Sequence, residues 1–465
     1  MKNLFLSLFL FCIFIHHTNF AQKNTLTLKE FYDQIMAYHP LVKQASTLPD
    51  FAKQELRMAR GGFDPKLAAS YSRKDFDKKT YYDHLEGKLK APTWIGNVFV
   101  GAERNRGDLL NPESTTDRNG LATMGIDVPL GKDFWIDQRR ATLKQAKIFQ
   151  NIALADKIKI INKILLTAAK DYWEWYFAER ELFYLIKGLE LAEDRFKAVK
   201  LRVTLGELAA IDSVQAKIIY QERKIQLNQA NLEVKNSRLT VMNYIWGDND
   251  LPLVLSDDVN PENPNWESNP TNEIETLVAF AKENHPEILK IKGKVNQLEV
   301  ERQLGQNSLL PVANFQYALL QNMQPATEST RLNFEKNFKL GLDFEFPLFL
   351  RKERGKLGQT KIKKFQNELD LRQTQRDIET EIRKSYNELL NLRLQIAEQT
   401  SMVQNYQILR DGEYRRFLNG ESSLFLINTQ ETKLIESQIK LESQKMKFEK
   451  ARAMLLWAIG KAMWE

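Results

Sequence analysis

The sequence predicts a mainly helical chain with transmembrane β-strands. Duplicated long coiled-coil hairpins would form an α-barrel with copies of themselves, and the strands ahead of each hairpin would close a shared β-barrel. Three observations predict this. Apolar residues recur with a seven-residue period along stretches free of proline. Short segments ahead of those stretches alternate between apolar and polar positions. The whole order of elements occurs twice.

The second hairpin is the clearer copy. From Arg351 to Arg416 the chain reads as one ascending helix, with Ile378, Ile382, Ser385, Leu389, Leu392 and Ile396 spaced 4-3-4-3-4 as a heptad seam. The pattern breaks at Phe417 to Ser423. It resumes as a descending helix with Ile427, Leu434, Leu441, Phe448 and Leu455. A strict seven-residue period does not fit a straight helix, so the pair should supercoil left-handedly. The first copy ascends from about Asp133 to Val203, breaks at Thr204 to Glu207, and descends with Ile211, Ile218, Ile225, Leu232, Leu239 and Trp246. Phe149-Gln150-Asn151 recurs as Phe365-Gln366-Asn367, which marks the duplication.

Met1 to Gln22 has the parts of a secretory signal peptide: Lys2, an apolar run from Leu4 to Ile15, and Asn19-Phe20-Ala21 as a cleavage site, giving a leader of 1–21. The run is too short to span a bilayer as a helix. Cys12, the only cysteine, leaves with the leader. A mature chain without cysteine has no disulfide, no thiolate metal site and no cysteine nucleophile. A charged fraction of 27% with few glycines suits long helices with solvated faces, and a net charge of +7 spread along such a chain is no nucleic-acid footprint.

A helical segment follows over 22–62, with Thr27 as N-cap and Glu30 as its capping-box partner. His39-Pro40 interrupts it, and His285-Pro286 repeats the interruption in the second half. Both read as a helix-start turn used twice rather than as metal ligands. Residues 63–130 then change to period two. Phe63, Pro65, Leu67, Ala69 and Tyr71 share one face, and a later strand ends in Met124, Ile126 and Val128. Two further candidate strands, Tyr81 to Lys90 and Ile95 to Arg104, lie between them. Residues 131–246 hold the first hairpin, with its tip near 203–208, and 247–271 is a connector rich in Asp, Asn and Pro. The second half repeats a short helical segment (272–310), strands (311–348) and the long hairpin (349–465, tip near 417–423).

The strands of 311–348 carry the sharpest signal. Phe338, Leu340, Leu342, Phe344 and Phe346 alternate with Asn337, Lys339, Gly341, Asp343 and Glu345. A half-buried strand of a soluble sheet gives such a pattern, and so does an outer-membrane strand with lipid on one side and water on the other. The leader, the absence of mature cysteine, and aromatics near strand ends (Tyr71, Trp94, Phe346, Phe349) favour the second. Each strand region hands over to its long helix at a proline, Pro129 or Pro347, followed by basic residues (Arg139 and Arg140; Arg351, Lys352 and Arg354) that read as a solvated first turn. Helices of roughly 100 Å cannot bury themselves in one chain, and a few strands cannot close a barrel. A ring of several copies supplies both.

The arrangement resembles the TolC family of outer-membrane efflux proteins over essentially the whole mature chain. The resemblance rests on the duplicated order, the proline junctions and the tips Val203-Thr204-Leu205-Gly206-Glu207 and Phe417-Leu418-Asn419-Gly420-Glu421. It implies a homotrimer whose barrel sits in outer-membrane lipid and whose helical tunnel extends into the periplasm. It further implies a passive exit duct for drugs or secreted substrates, served by a periplasmic adaptor and an inner-membrane transporter. It implies that Leu205, Gly206, Glu207, Leu418, Asn419, Gly420 and Glu421 dock the adaptor. Acidic residues three apart would ring the periplasmic entrance; the matching positions are Asp212 and Gln215 in the first repeat and Asn428 and Glu431 in the second. The resemblance implies two strands per repeat and twelve in a trimer, so Tyr81 to Arg104 is a surplus. It is expected to be an extracellular hairpin, with extra barrel strands as the alternative. A single-hairpin periplasmic adaptor or a coiled-coil scaffold is the competing class, and the duplication argues against it. An enzyme is not expected: no phosphate-binding glycine loop, G-x-S-x-G elbow or H-E-x-x-H helix is present, and no cofactor, metal or nucleic acid is implied.

Overall fold

The computed structural model describes residues 25–267, 273–323 and 337–464. The leader with Cys12 and residues 268–271 of the connector lie outside the described residues. The chain begins with β1 (Thr25–Leu26) and three helices, α1 (Leu28–Tyr38), α2 (Pro40–Ser46) and α3 (Leu48–Gly61). Thr27 caps α1 in a full capping box: its hydroxyl accepts from the Glu30 amide at 3.2 Å, and its own amide donates to the Glu30 carboxylate at 2.9 Å. Four strands follow, β2 (Lys66–Phe76), β3 (Lys79–Pro92), β4 (Asn97–Arg106) and β5 (Leu121–Pro129). Helix α4 (Gln138–Thr204) rises to the first tip and α5 (Ala210–Met242) returns. A short β6 (Asn260–Pro261) pairs in parallel with β1. The second repeat runs α6 (Ile274–Asn284), α7 (Pro286–Asn307), β7 (Val312–Asn322), β8 (Phe338–Glu345), α8 (Arg351–Leu418) and α9 (Leu424–Ile459). At about 1.5 Å per residue, α4 and α8 each reach roughly 100 Å. Among the described residues no helix is apolar enough to cross a membrane.

The long helices form one wall. α5 packs on α4, α4 on α9, and α9 on α8, so α5 and α8 are its edges. The centre of the chain is held by an aromatic belt in which Phe31, Tyr172 and Trp175 are fully buried. The Tyr172 hydroxyl donates to the Leu26 carbonyl at 2.5 Å and accepts from the Glu262 amide at 2.8 Å. It thereby ties α4 to β1 and to the residue that follows β6.

The six longer strands form one antiparallel meander, in the order β2-β3-β4-β5-β7-β8. Its register lines up an apolar face across all six strands. Leu67, Ala69 and Tyr71 stand opposite Leu89, Gly87 and Leu85. Leu89 and Ala91 stand opposite Val100 and Val98, which stand opposite Met124 and Ile126. Ile126 and Met124 stand opposite Tyr317 and Leu319, and these face Leu340 and Phe338. The other face carries Lys88, Lys90, Glu103, Asp127, Gln316, Lys339 and Asp343. There the Lys90 ammonium lies 3.0 Å from the Asp127 carboxylate, to which the Asn97 amide also donates.

Three expectations need correction. The surplus segment is not a hairpin projecting from the outer end of the sheet. It forms β3 and β4 within the meander, and its turn, Thr93 to Gly96, lies at the helical end. There the Trp94 ring stacks on Phe63 at 6.2 Å and the Arg140 guanidinium lies over Trp94 at 5.8 Å. Second, Arg139 and Arg140 are not a solvated turn. Arg140 is buried and donates to the carbonyls of Phe134 and Asp133, and Arg139 pairs with Asp137 at 2.8 Å. Third, α4 begins at Gln138 rather than near Asp133. Asp133 has a positive φ of 71°, which no helix accepts, and Asp137 is the N-cap, accepting from the Arg140 amide at 2.8 Å.

Candidate functional site

The two hairpin tips are built alike. Each ascending helix ends at a glycine with positive φ, 80° at Gly206 and 78° at Gly420. In the first tip the Gly206 amide donates to the Val203 carbonyl at 3.0 Å and the Glu207 amide to the Arg202 carbonyl at 2.9 Å. In the second the Gly420 amide donates to Phe417 at 3.1 Å and the Glu421 amide to Arg416 at 2.8 Å. This is a Schellman motif in both repeats, and glycine is the residue that occupies its left-handed position without strain. Leu205 and Leu418 are exposed at the two ends, beside exposed Glu207, Asn419 and Glu421.

Just past the tips, a cluster of arginines from the first repeat grips α9. Arg195, on α4, donates a fork of hydrogen bonds to the Glu431 carboxylate: Nη1 to Oε2 at 2.7 Å, with a second, shorter bond from Nη2 to Oε1. The same Nη1 also donates to the Asn428 side-chain oxygen. Both sides of the pair are nearly enclosed, and Glu431 and Asn428 are each 8% exposed. Arg223, buried on α5, donates to the Thr432 hydroxyl at 2.8 Å and to Gln226 at 3.0 Å. Burial lowers the pKa of Arg223, and the nearby Glu431 charge opposes that shift. Close packing sits one helical turn away: a Cβ on Gly188 would lie 2.8 Å from the Ile435 side chain.

The structure therefore brings Asn428 and Glu431 together, on a guanidinium rather than on open solvent. Gln215 and Asn428 line one cleft between α5 and α9, with Ile219, Phe425 and Thr432, and Glu431 lies outside it. Asp212 lies one turn nearer the tip, partly exposed at the start of α5. Arg195 and Arg223 were not singled out from the sequence. An arginine in a heptad repeat reads the same whether it meets water or a buried carboxylate.

The two His-Pro sites are N-caps. The His39 ring accepts from the Leu41 amide at 3.3 Å, and the His285 ring from the Glu287 amide at 3.2 Å. Burial lowers both pKa values, His285 to about 4, so each ring keeps the neutral nitrogen that the cap needs.

No family model matches the chain, and no curated protein matches it in sequence. Solved structures do match it in fold, outer-membrane channels among them. The chain is similar to the CmeC outer-membrane channel of Campylobacter jejuni, with a TM-score of 0.65 and 14% identity over 93% of this chain and 85% of that one. It is similar to the outer-membrane protein VceC of Vibrio cholerae (0.65, 15%, 93% and 96%). It is also similar to the open state of the MtrE channel of Neisseria gonorrhoeae (0.67, 12%, 94% and 89%). Over 93–94% of its length the chain has the fold of these outer-membrane proteins, which is the fold that the resemblance to the TolC family implies.

Proposed function

We propose that the chain is the subunit of a homotrimeric outer-membrane channel, the passive exit duct of a tripartite efflux or type I secretion system. One observation carries the reading. The sheet presents an apolar face on all six strands while both of its edges, β2 and β8, have no second strand partner among the described residues. Such an edge is untenable in lipid unless another chain closes it. The helical wall has the same deficit. Ile211, Ile218, Ile225, Leu232 and Leu239 on edge helix α5 are 50–70% exposed, and edge helix α8 exposes Ile362, Phe365, Leu394 and Ile408. A head-to-tail ring joins α5 of one copy to α8 of the next and closes both layers with one symmetry operation.

In this reading the tips, through Leu205 and Leu418, are the docking site for the hairpins of a periplasmic adaptor, which links the channel to an inner-membrane transporter. The Arg195–Glu431 pair ties α9 to α4 just above the entrance. A resting entrance keeps this tie, and opening it separates a buried, charge-assisted fork. The entrance is then guarded by a neutralised pair rather than by a free ring of carboxylates.

The test is the mass of the detergent-extracted protein by light scattering, followed by conductance in planar bilayers. Three copies and ohmic single-channel steps are expected. A monomer that stays in solution without detergent would overturn the channel and favour a coiled-coil scaffold.

A further inference from the structure

The surplus strands have a role of their own in the wall. β3 and β4 pair along their length, Asp83 to Pro92 against Asn97 to Arg106. β2 pairs with β3 from Lys66 to Phe76, and β4 with β5 from Asn97 to Glu103. Both are interior strands, and the sheet cannot close without them, because β2 reaches β5 only through them.

Their side chains follow the same division as the other four strands. Leu85, Leu89, Val98 and Val100 stand on the apolar face and are 41–45% exposed, which in water would be a standing cost. Glu86, Lys88, Lys90 and Glu103 stand on the opposite face. That face is packed across strands: the Phe99 ring is buried there, where a Cβ on Gly125 would lie 2.7 Å from it, and the Lys88 ammonium lies over Phe99 at 4.2 Å. The β3–β4 turn is fixed at the helical end by Trp94 on Phe63 and by Arg139 reaching Asn97 at 3.4 Å. The pair therefore spans the same height as its neighbours.

We propose that β3 and β4 are membrane-spanning wall strands, so that three copies of this chain close a barrel of eighteen strands, with β8 of each copy pairing antiparallel with β2 of the next. The inference rests on the trimeric channel reading and adds what that reading leaves open. β2 runs away from the helical end and β8 runs back to it, so the joint preserves the antiparallel meander all the way round. Barrel diameter grows roughly in proportion to strand number, so this barrel is about half again as wide as one of twelve strands. The polar side chains of β3 and β4 then add to the lining of a broad water-filled exit, and their apolar side chains add to the lipid-facing belt.

The test is a cryo-electron microscopy map of the unmodified chain in lipid nanodiscs, with single cysteines placed in a Cys12→Ser background. Leu89→Cys and Val100→Cys report the apolar face, and Glu86→Cys the lumenal face. Expected are eighteen strands in a threefold barrel, and reaction of Glu86→Cys with a water-soluble maleimide on the order of tenfold faster than Leu89→Cys or Val100→Cys, as the lipid–lumen alternation requires. A threefold channel of twelve strands, with all three cysteines reacting at similar rates, would overturn the wide barrel and leave the channel reading intact. Absence of any threefold membrane-embedded particle would overturn the channel reading, and this inference with it. Where a cysteine variant fails to assemble, the map of the unmodified chain decides.

Discussion

The returning helices α5 and α9 carry the same seven-residue stripe and use it in opposite ways. On α9, Ile427, Leu434, Leu441, Phe448 and Leu455 are all buried, at most 8% exposed, against α8 and α4. On α5, Ile211, Ile218, Ile225, Leu232 and Leu239 face out, and the contact with α4 is made by Ala216, Ala230, Val234 and Val241. The buried side of α5 is thus a second stripe, in which small residues alternate with the buried arginines Arg223 and Arg238. The large apolar residues stay uncovered within the subunit. A heptad repeat states that a stripe will be covered, not by what.

Ile225→Glu together with Leu232→Glu puts charge on the uncovered stripe, which costs several kcal/mol per buried ion at a closed seam. Trimers are expected to be lost while helical content stays within a few per cent. Light scattering and far-ultraviolet circular dichroism of the same sample check both halves, and trimers that survive would place the seam elsewhere.

The converse change lies on α9. Phe448 is 1% exposed, so Phe448→Ala opens a cavity in the subunit itself and is expected to cost about 4 kcal/mol. Ile225→Ala, in the dissociated chain, should stay within about 0.5 kcal/mol, as a surface change does. Denaturant midpoints of the detergent-dissociated subunit separate the two, and equal losses would erase the distinction drawn here.

Between the repeats, Arg195→Ala strands the Glu431 carboxylate in a nearly closed site and should cost about 3 kcal/mol. The paired change Arg195→Met with Glu431→Leu removes both charges and should return to within about 1 kcal/mol of the native chain. Hydrogen exchange over 424–435 reads the local loosening. If the tie holds the entrance shut, the single variant also raises conductance and the double variant does so less.

Much of this was legible in the sequence, and the limits are physical. The alternation from Phe338 to Glu345 is strand β8, because successive side chains of a strand point to opposite faces and the two faces of this sheet differ in polarity. The capping box at Thr27 and Glu30 and the glycine breaks at Gly206 and Gly420 are local devices, readable from neighbours alone. The position of β3 and β4 was not legible. Their alternation is diluted by Gly87, Ala91 and Ala102, and their height depends on Arg139 and Arg140, far along the chain. The roles of Arg195 and Arg223 were hidden for the same reason: each partner lies more than 200 residues away on α9.

His285 gives the comparison a pH axis, since the second repeat's cap is the more strongly perturbed. Its pKa in the fold, about 4, lies below its ordinary 6.5 because burial disfavours the charged ring; Glu287 opposes this and Lys159 adds to it. The neutral form is therefore the folded form. Stability from this group is complete above pH 6.5 and is lost as pH falls toward 4, by roughly 3 kcal/mol in all. His285→Asn keeps a capping acceptor without a titrating ring, so thermal unfolding between pH 7 and pH 5 should shift less in that variant. An equal shift would assign the acid sensitivity to other groups.

The smallest effect tests where the two repeats are alike. Gly206 and Gly420 share one backbone conformation and one hydrogen-bond pattern, and a Cβ at either position meets nothing within 4 Å. An alanine there is therefore opposed by left-handed strain alone, about 1 kcal/mol, and the cost should be equal at both tips. Amide exchange of Glu207 in Gly206→Ala and of Glu421 in Gly420→Ala reads it directly, because each amide closes the outer bond of its motif. Equal losses of protection show that the tips remain a matched pair on helices that have diverged in what they pack against. A loss confined to Gly420→Ala would mean that the divergence between α5 and α9 reaches the tips, and that a docking partner meets two different ends.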